Sequence, residues 1–398
     1  MTFLGYEWSG LTPAGGDHNV YFLGDDETIH RSSHWQIHDG SDPASDRYPI
    51  SELFREFRGR KDVLITSHVG GRYANLDFAN DEFPNLVEVH SHHGTFEWIA
   101  EEAVRRGLCV GFVGQSDDHT CRPGLSGPLA PLDARFVTFD VWGGYTGIYA
   151  SELTRGVIWD ALKARHCYAT TGRRIVLALR CGQAIMGDCI TVQPGVALDL
   201  DVEAMGHGAP IADLEICRGN DVVYRHTWPA DADSPWLRVE WSGVRVRGRI
   251  KTSDWTGRLV VSAGTIEEFR SYGFMQAGQG VTRTSAAELA VRSVSSGNTH
   301  GVLLRLSDPT AQVTFESAAG TFSFAARDTA PEPQVFPAGG VNQQVRVSRM
   351  DVQSRTSDLR LRFSDVPPGP GRYAYWVRLV QTDAHMAWSS PLFVDIAD

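Results

Sequence analysis

Residues 85–119 read NLVEVHSHHGTFEWIAEEAVRRGLCVGFVGQSDDH. An apolar run closes on Glu88 and His90. Thr95–Arg106 follows with helical spacing and is stopped by Gly107, and a second apolar run, Leu108–Val113, leads to Asp117 and His119. Strand, helix and strand in that order are the sequence form of a βαβ unit, whose parallel strands are buried on both faces. Both strands end in carboxylate and imidazole groups. An unpaired charge at the rim of a core is costly, so these groups need a partner, either a hydrogen bond or a metal ion.

The same alternation extends outward. Upstream, DVLITSHVGG (62–71) reads as a strand ending at His68, and Ser51–Arg58 reads as a short helix with Leu53, Phe54 and Phe57 inward and Gly59 after it. Downstream, Ser151–Arg165 reads as a helix capped by Ser151, with Leu153, Val157, Ile158, Ala161 and Leu162 on one face. Strands alternating with helices predict a parallel sheet.

Near residue 178 the period becomes two. In VALDLDVEA, Leu198, Leu200 and Val202 alternate with Asp199, Asp201 and Glu203; in DLRLRF, Leu359, Leu361 and Phe363 alternate with Arg360 and Arg362. Half-buried strands of this kind predict an antiparallel β-sandwich. The expected division is residues 1–178 and residues 179–398, with 264–330 either extending the sandwich or forming a small unit of its own.

A chain of 398 residues, 42% hydrophobic and 21% charged, is ordinary for a globular protein. Its net charge of −11 argues against nucleic acid or an anionic membrane as partner, both of which need a basic footprint. A small, locally steered ligand fits better. The sequence holds no apolar run long enough to span a bilayer and no signal peptide, so a cytoplasmic location is favoured. The oligomeric state is open. Six cysteines, without a C-x-x-C, read as reduced structural thiols, the alternative being a Cys181–Cys189 hairpin disulfide.

Nine of the 14 histidines fall between positions 18 and 119. His30, His34 and His38 lie in a polar loop, His92 and His93 read as helix caps, and His166, His207, His226, His300 and His385 are isolated; all read as structural. Glu7, His68, Asp117 and His119 each follow an apolar run. That placement suits convergence at the carboxyl ends of strands, with His18 and His90 alongside. Imidazole mixed with carboxylate favours divalent Zn, Mn or Fe, and Asp117-x-His119 can present two side chains to one ion.

The motifs GYEWSG, GGDHNVYFLG, ITSHVGG, VEVHSHHG, GQSDDHTCRPG, GGYTGIYASELTRGVIWDALKARHCYATTGRRI and AWSSPLFV together resemble an uncharacterised branch of the PHP (polymerase and histidinol phosphatase) superfamily, domain of unknown function 3604. The resemblance implies a (β/α)7 TIM-type barrel with two or three metal ions, and a phosphoesterase that hydrolyses its substrate through a metal-activated water. Glu7 would match the bridging glutamate, His18 the histidine after it, His68 the next ligand with Val69 in place of proline, and Asp117 and His119 the closing pair, which would also be catalytic. Arg72, Arg122 and Arg173 would bind a small anionic substrate such as a phosphate ester.

The superfamily opens on a His-x-His strand that this chain lacks. The expectation is therefore an N-terminally truncated barrel without its first strand or strands, holding fewer ions and with impaired hydrolysis. The alternative is a non-catalytic metal-binding or ligand-binding protein derived from such a barrel.

Overall fold

The computed structural model describes residues 1–32, 44–119, 126–127, 141–248 and 251–397. Six strands build one mixed sheet: β1 (Leu4–Trp8), β2 (His18–Phe22), β3 (Val63–Ser67), β4 (Leu86–Ser91), β5 (Gly94–Thr95) and β6 (Gly111–Gly114). β1, β2 and β3 form an antiparallel meander, β3–β4 and β4–β6 are parallel, and β5 folds back on β4. The βαβ unit of residues 85–119 is thus present, but it is one unit at the side of an open sheet.

Three α-helices lie among the described residues: α1 (Ile50–Glu56), α2 (Glu97–Arg105) and α3 (Arg155–Lys163). At nine residues α2 is too short to be stable alone, and packing holds it. Trp98, Ile99, Ala103 and Val104 bury against Val87, Val89 and Phe112, each large apolar side chain contributing roughly 1.5–3 kcal/mol. Gly107, at φ 71°, supplies the left-handed residue that ends the helix. α3 starts later than its sequence pattern predicts. Leu153 lies before it, 84% exposed, and Trp159 with Ala161 fills the buried face instead.

The remaining sheets are antiparallel except where Cys189–Val192 runs parallel to Leu392–Ile396. β7 (Tyr145–Ile148) and β8 (Cys167–Thr170) enter an eight-stranded sheet through Met386–Ser389, which pairs with β8 and with Gly371–Gln381. Strand pairing therefore crosses position 178. The Phe112 amide even donates to Ser390 Oγ at 2.9 Å, across 278 positions. Against this sheet lies a four-stranded one containing Val176–Cys181, Leu198–Met205 and Asp358–Asp365. Leu200 stands opposite Phe363 and Val202 opposite Leu361, and their period-two apolar faces form the shared core.

A second sandwich spans 236–349. Its two five-stranded sheets enclose Trp241, Trp255, Phe315 and Val345, so residues 264–330 belong to it. The two sandwiches meet at a buried ion pair. Arg238 donates to both carboxylate oxygens of Asp213, at 2.6 and 3.1 Å, and to Ser348 Oγ at 2.9 Å.

The sandwich reading fits, and the barrel does not. Among the described residues the structure is mostly antiparallel β with three short α-helices, and no sheet closes on itself. This corrects the (β/α)7 TIM-type barrel, with or without a lost first strand, and with it the PHP resemblance. The physical reason is connectivity: a barrel needs every strand followed by a returning helix, whereas β1, β2 and β3 reverse direction in the sheet plane.

Candidate metal centre

The edge of the mixed sheet where β1 and β3 end and β2 begins gathers the charged groups. Trp8 stands opposite His18 and His18 opposite Ser67. The ladder runs on past the strands, with the His68 amide donating to the Asp17 carbonyl at 3.3 Å. Parallel pairing of Ser67 with Val87 sets Glu88 beside His68, and Asp117 follows β6 three residues after Gly114. Glu7, Asp17 and His68 thereby place three ligand atoms within 4.8 Å of one another.

His68 is the centre of the group. Its Nε2 is 3.7 Å from Glu7 Oε1, and its Nδ1 is 3.7 Å from Asp117 Oδ2 and 3.9 Å from Glu88 Oε1. The ring is 1% exposed and Glu88 is 0% exposed. Neither ring nitrogen, nor either Glu88 carboxylate oxygen, makes a hydrogen bond within 3.5 Å among the described residues. Asp117 is held tighter, its Oδ2 2.9 Å from His93 Nε2, on a backbone at φ 46° that a non-glycine residue rarely adopts. Arg72 donates to Asp17 twice, from its amide at 2.9 Å and from Nε at 2.7 Å. Gly70 leaves room for the close approach. A Cβ there would stand 2.7 Å from His68 Cε1 and 3.0 Å from Asp17 Oδ2.

The electrostatics follow from burial opposed by neighbours. Burial disfavours the imidazolium of His68, but Glu7, Glu88 and Asp117 outweigh it and push the ring up to about 9. Burial pushes Glu88 up to about 8 despite His68. The His68 ring holds Glu7 below the ordinary carboxylate value. Burial works against ionised Asp117, yet His93, His68 and His119 hold its carboxyl well below the usual range. Burial raises Asp17, partly offset by His68 and Arg72. In the ion-free chain the group therefore traps protons among carboxylates, and a cation can take their place.

The donor set fits a divalent metal. Two ligands bonded at about 2.0–2.2 Å can stand no more than about 4.4 Å apart. The Glu7–His68 separation lies within that limit, and the full trio needs a contraction of only a few tenths of an ångström. Imidazole with carboxylates suits Zn, Mn or Fe.

Of the residues the sequence singled out, Glu7, His68 and Asp117 are brought together. His119 is exposed, with its Nδ1 3.8 Å from Asp117 Oδ1. His18 points into the core between Trp8 and Phe54, and burial pushes it down to about 3. His90 is engaged at both nitrogens, by Thr95 Oγ1 at 2.9 Å and the Trp142 carbonyl at 2.7 Å. Arg72 adjoins the centre through Asp17. Arg173 lies 4.0 Å from Asp383, and Arg122 lies outside the described residues, as do His34 and His38.

Sequence reasoning passed over Asp17, Glu88 and His93 as ligands. It also passed over Lys251, which reaches in from the second sandwich to donate to the Val69 and Gly70 carbonyls at 3.4 and 3.3 Å. For Glu88 a signal existed, a carboxylate inside an otherwise apolar strand.

A family model described as "Protein of unknown function (DUF3604)" matches residues 130–210. An uncharacterized protein of Chlamydia pneumoniae is 27% identical over 260 residues, covering 59% of this chain and 39% of that protein. An uncharacterized protein of Chlamydia trachomatis serovar D is 26% identical over 214 residues, covering 47% and 33%. The chain therefore spans about two fifths or less of the length of these curated relatives. Among solved structures, the major pilin subunit of Bacillus cereus shows 9% identity over 58% of this chain and 68% of its own, with a TM-score of 0.09. At that score the likeness carries no argument.

None of these relatives names an activity. The expected metal-dependent hydrolase, a phosphoesterase with Asp117 and His119 catalytic, rested on the barrel and loses its basis with it. The cluster of Glu7, Asp17 and His68, whose ligand atoms are close enough to hold a metal ion, stands independently of that reading. No helix among the described residues is long and apolar enough to cross a membrane.

Proposed function

We propose that this chain binds a divalent metal ion through Glu7, Asp17 and His68, with Asp117 and His93 beside it, and that a small anion completes the coordination. One observation carries the reading: a fully buried histidine whose two nitrogens both lack a hydrogen bond and both face carboxylates. Buried polar atoms without partners are rare in native proteins, and a bound ion is a standard reason for them. The anion follows from the ligand count, because three protein ligands leave a coordination position open. Arg72 and Lys251 add positive charge near that position. The competing arrangement is a proton-sharing cluster that needs no ion.

Isothermal titration of EDTA-stripped protein with Zn(II) and Mn(II) separates the two. Stoichiometric binding is expected. His68→Ala should weaken it by at least about 100-fold, the upper end of what losing a group that only supports a metal ligand does, and the near-isosteric Glu7→Gln should weaken it without unfolding the chain. His119→Ala should change affinity little. Absence of stoichiometric binding by the unaltered protein, or equal affinity in His68→Ala, would refute the reading. Inorganic phosphate is then the probe for the anion: it should bind only to the metal-loaded form, and binding without metal would remove the anion from the proposal.

A further inference from the structure

Cys109 and Cys189 are 80 positions apart, yet their Sγ atoms lie 3.7 Å from one another. Both are free thiols. Cys109 sits between α2 and β6, and Cys189 opens the strand Cys189–Val192 in the eight-stranded sheet. Cys189 is exposed and Cys109 is partly so, so a reagent can reach the pair from solvent.

We infer that Cys109 and Cys189 form a redox-modification site, a vicinal dithiol that closes to a disulfide when a small disulfide such as oxidised glutathione is present. The sulfurs are in van der Waals contact and need to approach by less than 2 Å to reach the roughly 2.0 Å of a disulfide. Arg372 places Nη1 4.0 Å from Cys109 Sγ while its Nε stays tied to Asp395 at 2.7 Å. A fixed guanidinium beside a sulfur favours the thiolate, which is the attacking form. Burial and the neighbouring Cys189 push the Cys109 thiol up to about 11, against Arg165 and Arg372. Cys189, the more exposed of the two, is the first nucleophile.

The Cys189 thiolate attacks one sulfur of glutathione disulfide, forming a mixed disulfide and releasing one glutathione thiolate. The Cys109 thiolate then attacks Cys189 Sγ and releases the second. Two electrons pass from the protein to glutathione disulfide, and the two cysteine protons end on the two released thiols. The bond ties the loop entering β6 to the first sandwich.

The test is incubation of the full chain with oxidised glutathione in EDTA, followed by thiol counting and peptide mapping. Two of the six thiols should be lost, the protein should be lighter by two hydrogens, and one linked peptide pair should carry Cys109 and Cys189. Cys109→Ser should trap Cys189 as the stable glutathione adduct, an outcome that a merely structural thiol would not give. Circular dichroism confirms that this variant is folded. If Cys189 in the unaltered protein stays glutathionylated, links to any other cysteine, Cys181 included, or does not react, the inference fails. Because EDTA is present throughout, none of these outcomes depends on metal binding.

Discussion

Stripped of metal, the protein should be most stable near pH 6.5 and lose stability on either side. On the acid side, burial pushes His18, His90 and His300 each down to about 3. Their folded values lie below the unfolded value of about 6.5, so each takes up a proton only on unfolding as pH falls. His300 shows why: Asn298 Nδ2 donates to its Nε2 at 3.0 Å, and Ser293 Oγ lies 2.8 Å from Nδ1. A second ring proton would forfeit the Asn298 bond. Glu88 acts in the opposite sense. Its folded value of about 8 exceeds the unfolded one, so it holds a proton in the folded state that the unfolded chain releases above about pH 4.5. The three protons gained outweigh the one lost between about pH 4.5 and 6.5, and burial, which also lowers His30, His92, His93, His226 and His385, adds in the same direction, so stability falls as the pH drops.

On the alkaline side His18, His90 and His300 no longer titrate. His68, raised to about 9, contributes stability that is fully present below about pH 6.5 and is lost as pH rises through its folded value. Glu88 loses its contribution up to about 8. Two protons are then released on unfolding, and stability falls. Urea melts in EDTA from pH 4.5 to 8.5 measure both limbs. Zn(II) or Mn(II) should flatten the alkaline limb by replacing the trapped protons, leaving the acid contribution of His300 intact. A monotonic rise in stability across the range would contradict the assignment of His68 and Glu88.

The second large effect is expected at the seam between the sandwiches. Arg238→Ala should destabilise the protein by about 3–5 kcal/mol, the usual loss when one member of a buried ion pair is removed. The side chain is buried, it grips Asp213 with both terminal nitrogens, and Glu240 lies 3.7 Å away. Without it the carboxylates of Asp213 and Glu240 lose their nearest counter-charge. Arg238→Met with Asp213→Asn should recover much of the loss, because the remaining groups no longer include an uncompensated Asp213 charge. Urea denaturation reads the difference. A loss below about 1 kcal/mol would place this pair with solvent-exposed bridges, which contribute about that much or less.

How far the sequence disclosed this molecule varies by element. Leu198, Leu200 and Val202 showed their buried face because alternation is a local property. The strand–helix–strand of residues 85–119 was equally legible, and extending it to a barrel was the error. Nothing local distinguishes a strand that returns antiparallel, as β2 does, from one that begins another parallel unit. At the centre, His68 and Asp117 were visible as polar groups directly after apolar runs. Asp17 was hidden beside His18, and only the aromatic rings of Trp8 and Phe54, contributed by other elements, show that it is the histidine that turns inward. The cysteines read as unpaired thiols, with Cys181 as the alternative partner of Cys189, while the structure sets Cys109 against it.

The Phe112 amide and Ser390 Oγ also set a timetable for biosynthesis. At roughly 5–20 residues per second, the ribosome delivers Ser390 roughly 15–55 s after Phe112, and β8 waits for Met386–Ser389 almost as long. Throughout that interval the nascent chain presents unpaired strand edges, which recruit other chains. Yield in a cell should therefore depend on holdase chaperones and on translation speed more than on the equilibrium stability of the finished fold.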